Sequence, residues 1–235
     1  MHVYKQLHEY SVATHTQHGV TMVPVLWLRR WQRANKAEML LDGRHDDSSP
    51  YSRARDEKRA FELAAAGAQF GCAHSKGVLG RCYIWGNGVA IDEARGLALA
   101  RESAAAGSCF GQQVVGRCFD LGCGGVAKDI AEAVRFYHLA AAQGHANAQY
   151  YLGFRFMKGQ GVAQDSVEAA RLYRLAAEQG HVEAQWQLGG MFEHGDGVAR
   201  DRAEAIRWYR LAAAQGHADS QYRLGYLFFN GQGVA

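Results

Sequence analysis

Ala184-Gln185-Trp186-Gln187-Leu188-Gly189 repeats Ala148-Gln149-Tyr150-Tyr151-Leu152-Gly153 and returns as Ser220-Gln221-Tyr222-Arg223-Leu224-Gly225, each step 36 residues long. The sequence between these hexapeptides keeps the register: Asp165 maps to Asp201, Tyr173 to Tyr209, and Gly180-His181 to Gly216-His217. Going backwards, Asp129, Tyr137 and Gly144-His145 match, with one extra glycine in the turn Gly122-Cys123-Gly124-Gly125-Val126. A more divergent copy covers about 71–110, marked by Leu79-Gly80, Gly86-Asn87-Gly88-Val89, Asp92 and Ala104-Ala105-Ala106-Gly107. It reads as about four residues longer than the others, one helical turn before Leu79. Self-similarity at a period of this size is the signature of a stacked-repeat architecture.

Each repeat reads as two helices. The second begins with Asp-x-x-Glu (Asp129/Glu132, Asp165/Glu168, Asp201/Glu204), a capping box with Asp in the N-cap place. Ala205, Trp208, Tyr209 and Ala212 then fall at i, i+3, i+4, i+7, one helix face, and Gly216 stands at the C′ stop. The first helix runs from about Ala184 to Glu193 and ends in Gly195-Asp196-Gly197-Val198. A helix pair cannot bury its apolar face alone, so the pairs must stack.

Composition agrees with this. The 235 residues hold 28 glycines and 2 prolines, and both prolines, Pro24 and Pro50, precede the repeats. A long proline-free stretch favours helix, because proline costs about 3 kcal/mol in a helix interior. Residues 1–59 carry ten Lys or Arg and seven Asp or Glu, leaving 16 of each beyond them. That balance argues against a nucleic-acid footprint on the repeats. Five cysteines, odd in number and without a CxxC pair, read as reduced thiols and leave no zinc spacing.

The pattern A-Q-x-x-L-G-x-x-F-x-x-G-x-G-V-x-x-D-x-x-E-A-x-x-W/L-Y-x-x-A-A-x-Q-G-H resembles the Sel-1-like repeat, a relative of the tetratricopeptide repeat, over about residues 71–235. The resemblance implies an all-α protein, a right-handed α/α superhelical solenoid of four to five helix-pair repeats of 36–40 residues. It also implies an adaptor for protein assembly without catalytic activity or cofactor. Repeats are expected at about 71–110, 111–147, 148–183 and 184–219, with a half-repeat at 220–235, in a solenoid domain spanning 60–235.

Comparing copies separates packing from surface. Gly111/Ala148/Ala184/Ser220, Val115/Leu152/Leu188/Leu224, Gly116/Gly153/Gly189/Gly225 and Phe119/Phe156/Phe192/Phe228 stay apolar or small and form one stripe, the expected packed face. The glycine in every first helix suggests a helix approach too close for a β-carbon. A second stripe varies: Val114, Arg117, Cys118, Leu121; Tyr151, Phe154, Arg155, Lys158; Gln187, Gly190, Met191, His194; Arg223, Tyr226, Leu227, Asn230. In related solenoids the first helices line the concave surface. From this stripe Arg117, Tyr151, Phe154, Arg155, Lys158, Gln187, Met191, His194, Arg223, Tyr226 and Leu227 are the expected binding residues for a protein or peptide partner. Aromatic, Met and Arg side chains are what interface cores favour.

Other features read as structural. His145, His181 and His217 recur once per repeat, too far apart to share a metal, and read as turn or cap residues. Gly159/Gly161, Gly195/Gly197 and Gly231/Gly233 follow helices and lack the remainder of a phosphate-loop signature, so they read as turns. Glu168/Arg171 and Glu204/Arg207 are surface pairs. An alternative is a β-lactam-binding or β-lactam-hydrolysing enzyme of a cysteine-rich Sel-1-like group. That group carries a pair of cysteines in each repeat, and residues 148–219 have none.

Residues 1–59 stand outside the repeat as an N-terminal extension. Residues 25–41 read as a basic amphipathic helix (Arg29, Arg30, Arg33, Lys36) that docks on the first repeat or, as a second alternative, tethers the adaptor to a membrane. Residues 42–55 read as a linker, followed by a capping helix from Asp56 to Gly67. No run approaches a membrane span and no cleavable leader is evident, so the expected compartment is cytoplasmic. The last half-repeat leaves Leu224 and Phe228 without a covering helix, which suggests a piece of a longer array or self-association there.

Overall fold

A computed structural model describes residues 36, 37, 41 and 50–231. Ten helices lie among the residues from 50 onward, and no strand occurs among the described residues. They are α1 (Pro50–Gln69), α2 (Ala73–Trp85), α3 (Glu93–Ala105), α4 (Cys109–Leu121), α5 (Ile130–Ala142), α6 (Ala146–Lys158), α7 (Ser166–Glu178), α8 (Val182–His194), α9 (Arg202–Ala214) and α10 (Ala218–Phe229). Each helix packs chiefly on its neighbours in the chain, and α2 also meets α4. The result is an α/α solenoid of helix pairs.

The caps explain where the helices start. Asp129, Asp165 and Asp201 each accept from the backbone N–H of the glutamate three residues on, at 2.9–3.1 Å. The reciprocal half of the capping box is absent. The N–H of each Asp instead donates to the carbonyl of a phenylalanine in the preceding helix (Phe119, Phe156, Phe192). Released from that duty, Glu132, Glu168 and Glu204 pair with Arg135, Arg171 and Arg207 one turn on. At the other helix type, Nδ1 of His145, His181 and His217 accepts from the N–H of Ala148, Ala184 and Ser220 at 3.2–3.3 Å, so these histidines are N-caps.

The invariant glycine of the first helix does have a steric reason. A β-carbon on Gly189 would stand 2.6 Å from the ring of Tyr209, and one on Gly116 2.9 Å from Tyr137. Those tyrosines are buried, at 0–1% exposed. In the first pair Ala100 stands in the tyrosine's place, and the helices close further. A β-carbon on Gly80 would meet the carbonyl oxygen of Gly96 at 2.6 Å.

Two details of the first copy differ from the sequence reading. Helices α2 and α4 are both 13 residues long and Gly80 precedes Gly116 by 36, so no extra turn precedes Leu79. Helix α1 begins at Pro50, inside the expected linker, and continues past Gly67 to Gln69. Proline is favourable in a first helical turn, where its missing N–H costs nothing. Gly67 does not stop the helix; a β-carbon there would lie 2.1 Å from Ser75 Oγ, and the chain reverses at Gly71, φ +76°.

A glutamine ladder ties the repeats together. Gln143, Gln179 and Gln215, each closing a second helix, donate through Nε2 to Oε1 of Gln112, Gln149 and Gln185 at 2.7–2.8 Å. Gln149, Gln185 and Gln221 in turn donate to the carbonyls of Ala141, Ala177 and Ala213 in the preceding repeat. Phenylalanines of the first helices sit under side chains of the preceding second helix, Phe156 beside His138 and Phe192 beneath Arg174.

Of the expected helix 25–41, only residues 36, 37 and 41 are described. Ala37 is fully buried in the cluster that contains Ala60, Ala64 and Val78, and Leu41 packs against it. Arg81 donates to the Leu41 carbonyl at 3.3 Å. The rest of that segment, residues 42–49 of the expected linker, and Gly233 lie outside the described residues.

Candidate protein-interaction surface

The first helices of the pairs are α2, α4, α6, α8 and α10; the variable stripe runs over the last four, and their N-termini fix its register. With His145, His181 and His217 in equivalent N-cap places, Tyr151, Gln187 and Arg223 fall at one helical position. Phe154, Gly190 and Tyr226 fall at the next position of the stripe, one turn on, together with Arg117 of α4.

Burial divides the expected residues. Arg117, Tyr151, Phe154, Gln187 and Arg223 are partly exposed, while Lys158, His194 and Tyr226 are exposed. Met191 and Leu227 are not on the surface: they are 3% and 0% exposed, as are Cys118 and Val114 at 0%. Met191, Leu227 and Cys118 stand four residues after Tyr151-type positions and turn toward the neighbouring helix, so they pack repeat on repeat, whereas Val114 is the Tyr151-type residue of α4 and is buried there. Arg155 shares the inward position, and its side chain is closed off in an ion pair with Asp120 rather than offered to a partner.

That pair belongs to a recurring triad. Arg155 Nη2 donates to Asp120 Oδ1 at 2.5 Å, and Tyr137 Oη donates to Asp120 Oδ2 at 3.1 Å. Two repeats on, Arg223 binds Glu193 through both ends of its guanidinium, Nε to Oε2 at 3.0 Å, and Tyr209 Oη donates to the same carboxylate at 2.9 Å. Burial works against the Glu193 charge, but the bonds from Arg223 and Tyr209 outweigh it and hold its carboxyl below the usual range. Burial and then the Asp120 carboxylate push the Tyr137 hydroxyl far upward, so it stays a donor. Both triads join three successive helices. They are structural, and the arginines in them already have their partner.

The aromatic position just before Tyr151 lies outside the expected set of residues. Tyr150 stacks on His181 at 4.6 Å, and Trp186 lies 5.4 Å from His217, so each ring leans on the next repeat's cap. Tyr222 at the same position is 75% exposed. The signal was present as Tyr150, Trp186 and Tyr222 in the recurring hexapeptide. Trp85, at the end of α2, lies outside that set as well; Arg117 lies between its ring at 4.9 Å and that of Tyr151 at 5.4 Å.

Nucleophile chemistry finds no support at the two buried thiols. Burial pushes Cys82 up to about 12 and Cys118 further in the same direction, the latter aided by Cys123. Neither is a thiolate at neutral pH. Among the described residues no group of three or more His, Cys, Asp or Glu could hold a metal ion, and no helix is long and apolar enough to cross a membrane.

The Sel1 repeat profile matches residues 77–108, 111–145, 146–181, 182–217 and 218–235. Among solved structures, the chain is similar to a protective antigen of uropathogenic Escherichia coli strains that displays an SLR fold. That likeness has 29% identity and a TM-score of 0.65, over 88% of this chain and 42% of the antigen. A Sel1 repeat protein from Oxalobacter formigenes is 30% identical with a TM-score of 0.63, over 73% of this chain and 49% of its own. An immunity protein from Pseudomonas aeruginosa shares the fold at 20% identity and a TM-score of 0.53, over 82% and 68%. The chain spans less than half the length of the first two. No curated protein matches it.

Proposed function

The chain belongs to the Sel1 repeat family, and from that premise we propose that it is a non-catalytic scaffold holding a protein or peptide segment on the concave face lined by α2, α4, α6, α8 and α10. Proteins built from these repeats are generally interaction scaffolds. The observation that carries the reading is the register of partly exposed Arg117, Tyr151 and Phe154 and exposed Tyr226 on the first helices α4, α6 and α10, beside a packed stripe that stays apolar or small. Aromatic rings contribute much binding energy per residue because they bury large area with few rotors, and arginine because its planar fork makes several charge-assisted bonds. The backbone beneath them is held by caps, glutamine ladder and ion triads, so little ordering is left to oppose binding.

Partners captured by the wild-type chain and identified by mass spectrometry provide the test. A Tyr151→Ala, Phe154→Ala, Tyr226→Ala variant should keep its helical circular dichroism and lose those partners. Retained capture by the folded variant overturns the assignment of this face.

A further inference from the structure

Three arginines lie on the exposed stripe or at its edge, and two of them are matched internally. Arg155 takes Asp120 and Arg223 takes Glu193, in each case a carboxylate at the penultimate position of the preceding first helix. For Arg117 that place in the preceding repeat is Ile84, which is 3% exposed and brings no charge. The nearest carboxylate along its own helix, Asp120, is already occupied by Arg155 and Tyr137. Among the described residues no carboxylate stands within ion-pair distance of Arg117.

What surrounds Arg117 instead is aromatic. Its guanidinium carbon is 4.9 Å from the Trp85 ring centre and 5.4 Å from that of Tyr151, contributed by the repeats on either side. The two rings restrict the side chain's rotamers, and Arg117 remains partly exposed. Lys158, at the exposed end of α6, adds a positive charge to the same stripe, and its buried carboxylates are paired in the triads. The remaining carboxylates, Glu183 and Asp219, stand in the first turns of α8 and α10, at the opposite end of the helices.

We propose that Arg117, held between Trp85 and Tyr151, is the anchor for a carboxylate of an acidic peptide segment. This rests on the concave-face reading above and specifies the partner chemistry. A carboxylate accepts two parallel bonds from a guanidinium fork, and such charge-assisted bonds are stronger than neutral ones. The residues flanking the acid would lie against the two rings.

A library of random 12-residue peptides displayed on phage, panned against the full chain and against Arg117→Met in parallel, tests this. Methionine keeps an aliphatic stem on the rings, and circular dichroism checks that the variant is folded. Peptides selected by the wild type should carry Asp or Glu at one fixed position. In fluorescence anisotropy, changing that acid to its amide, or Arg117 to Met, should each weaken binding by about ten- to a hundredfold. The two changes together should cost scarcely more than either alone, and Arg117→Lys should fall between. Peptides without an acidic position, or costs that simply add, overturn the proposal. If such peptides still depend on Tyr151, Phe154 and Tyr226, the concave-face reading stands without it. A wild-type chain that selects no peptide overturns both.

Discussion

Gly189 and Gly225 occupy the same place in two helices, yet their surroundings are opposite. A β-carbon on Gly189 would press on the buried Tyr209 ring, which is tied to Glu193, whereas one on Gly225 meets nothing within 4 Å. Gly189→Ala should therefore destabilise by about 1–3 kcal/mol through overpacking. Gly225→Ala should be neutral or stabilise by up to about 1 kcal/mol, the helix preference for alanine. Urea midpoints of the two variants check the difference. Glu193 supplies a pH test. Its carboxyl is held below the usual range in the folded chain, so the stability it contributes is present above the unfolded value of about 4.3 and is lost as pH falls through the folded one. Glu193→Gln should thus cost about 1–3 kcal/mol at pH 7, and the gap to wild type should narrow toward pH 3. A gap that stays constant with pH would contradict the assignment.

Among the elements, the strongest regularities are polar. Gln185 accepts from Gln215 and donates to the Ala177 carbonyl while 4% exposed, so it bonds a second helix on each side. Gln185→Ala should cost about 1–3 kcal/mol, because buried partners are left unpaired. Gln221→Ala, at the exposed end of the ladder, should cost well under that; denaturation of both variants decides. His181 caps α8 through Nδ1, so His181→Ala should lose about 1 kcal/mol while His181→Asn keeps most of it. Repetition made the Asp and His caps legible from sequence, as it did the Gly216 stop, φ +88°. It could not show that Glu132, Glu168 and Glu204 turn away from the Asp N–H groups, because the competing acceptors, the Phe119, Phe156 and Phe192 carbonyls, come from other helices.

Across the whole molecule, packing passes from each helix to the next, so stability is a sum of local terms. Helix α10 packs chiefly on α9, and its Tyr222, Tyr226, Phe228 and Phe229 are 47–90% exposed. Hydrogen exchange should therefore be markedly faster in α10 than in α6 and α7, which are flanked on both sides. Equal protection throughout would mean that the array opens as one cooperative unit.

The helix pairs, their period, the glycine contact and most caps are legible in the residues alone, since these depend on neighbours close in the chain and repeated in register. The sequence also points to the first helices as the variable surface. Which side of that stripe is exposed is set by the packing of helix on helix. Met191, Leu227 and Arg155 lie one helical position from the surface, and whether such a position faces solvent depends on how a helix is rotated against its neighbour. The same rotation gives Arg155 and Arg223 their carboxylates and leaves Arg117 between two rings, because an ion pair between repeats needs charges placed by two helices at once.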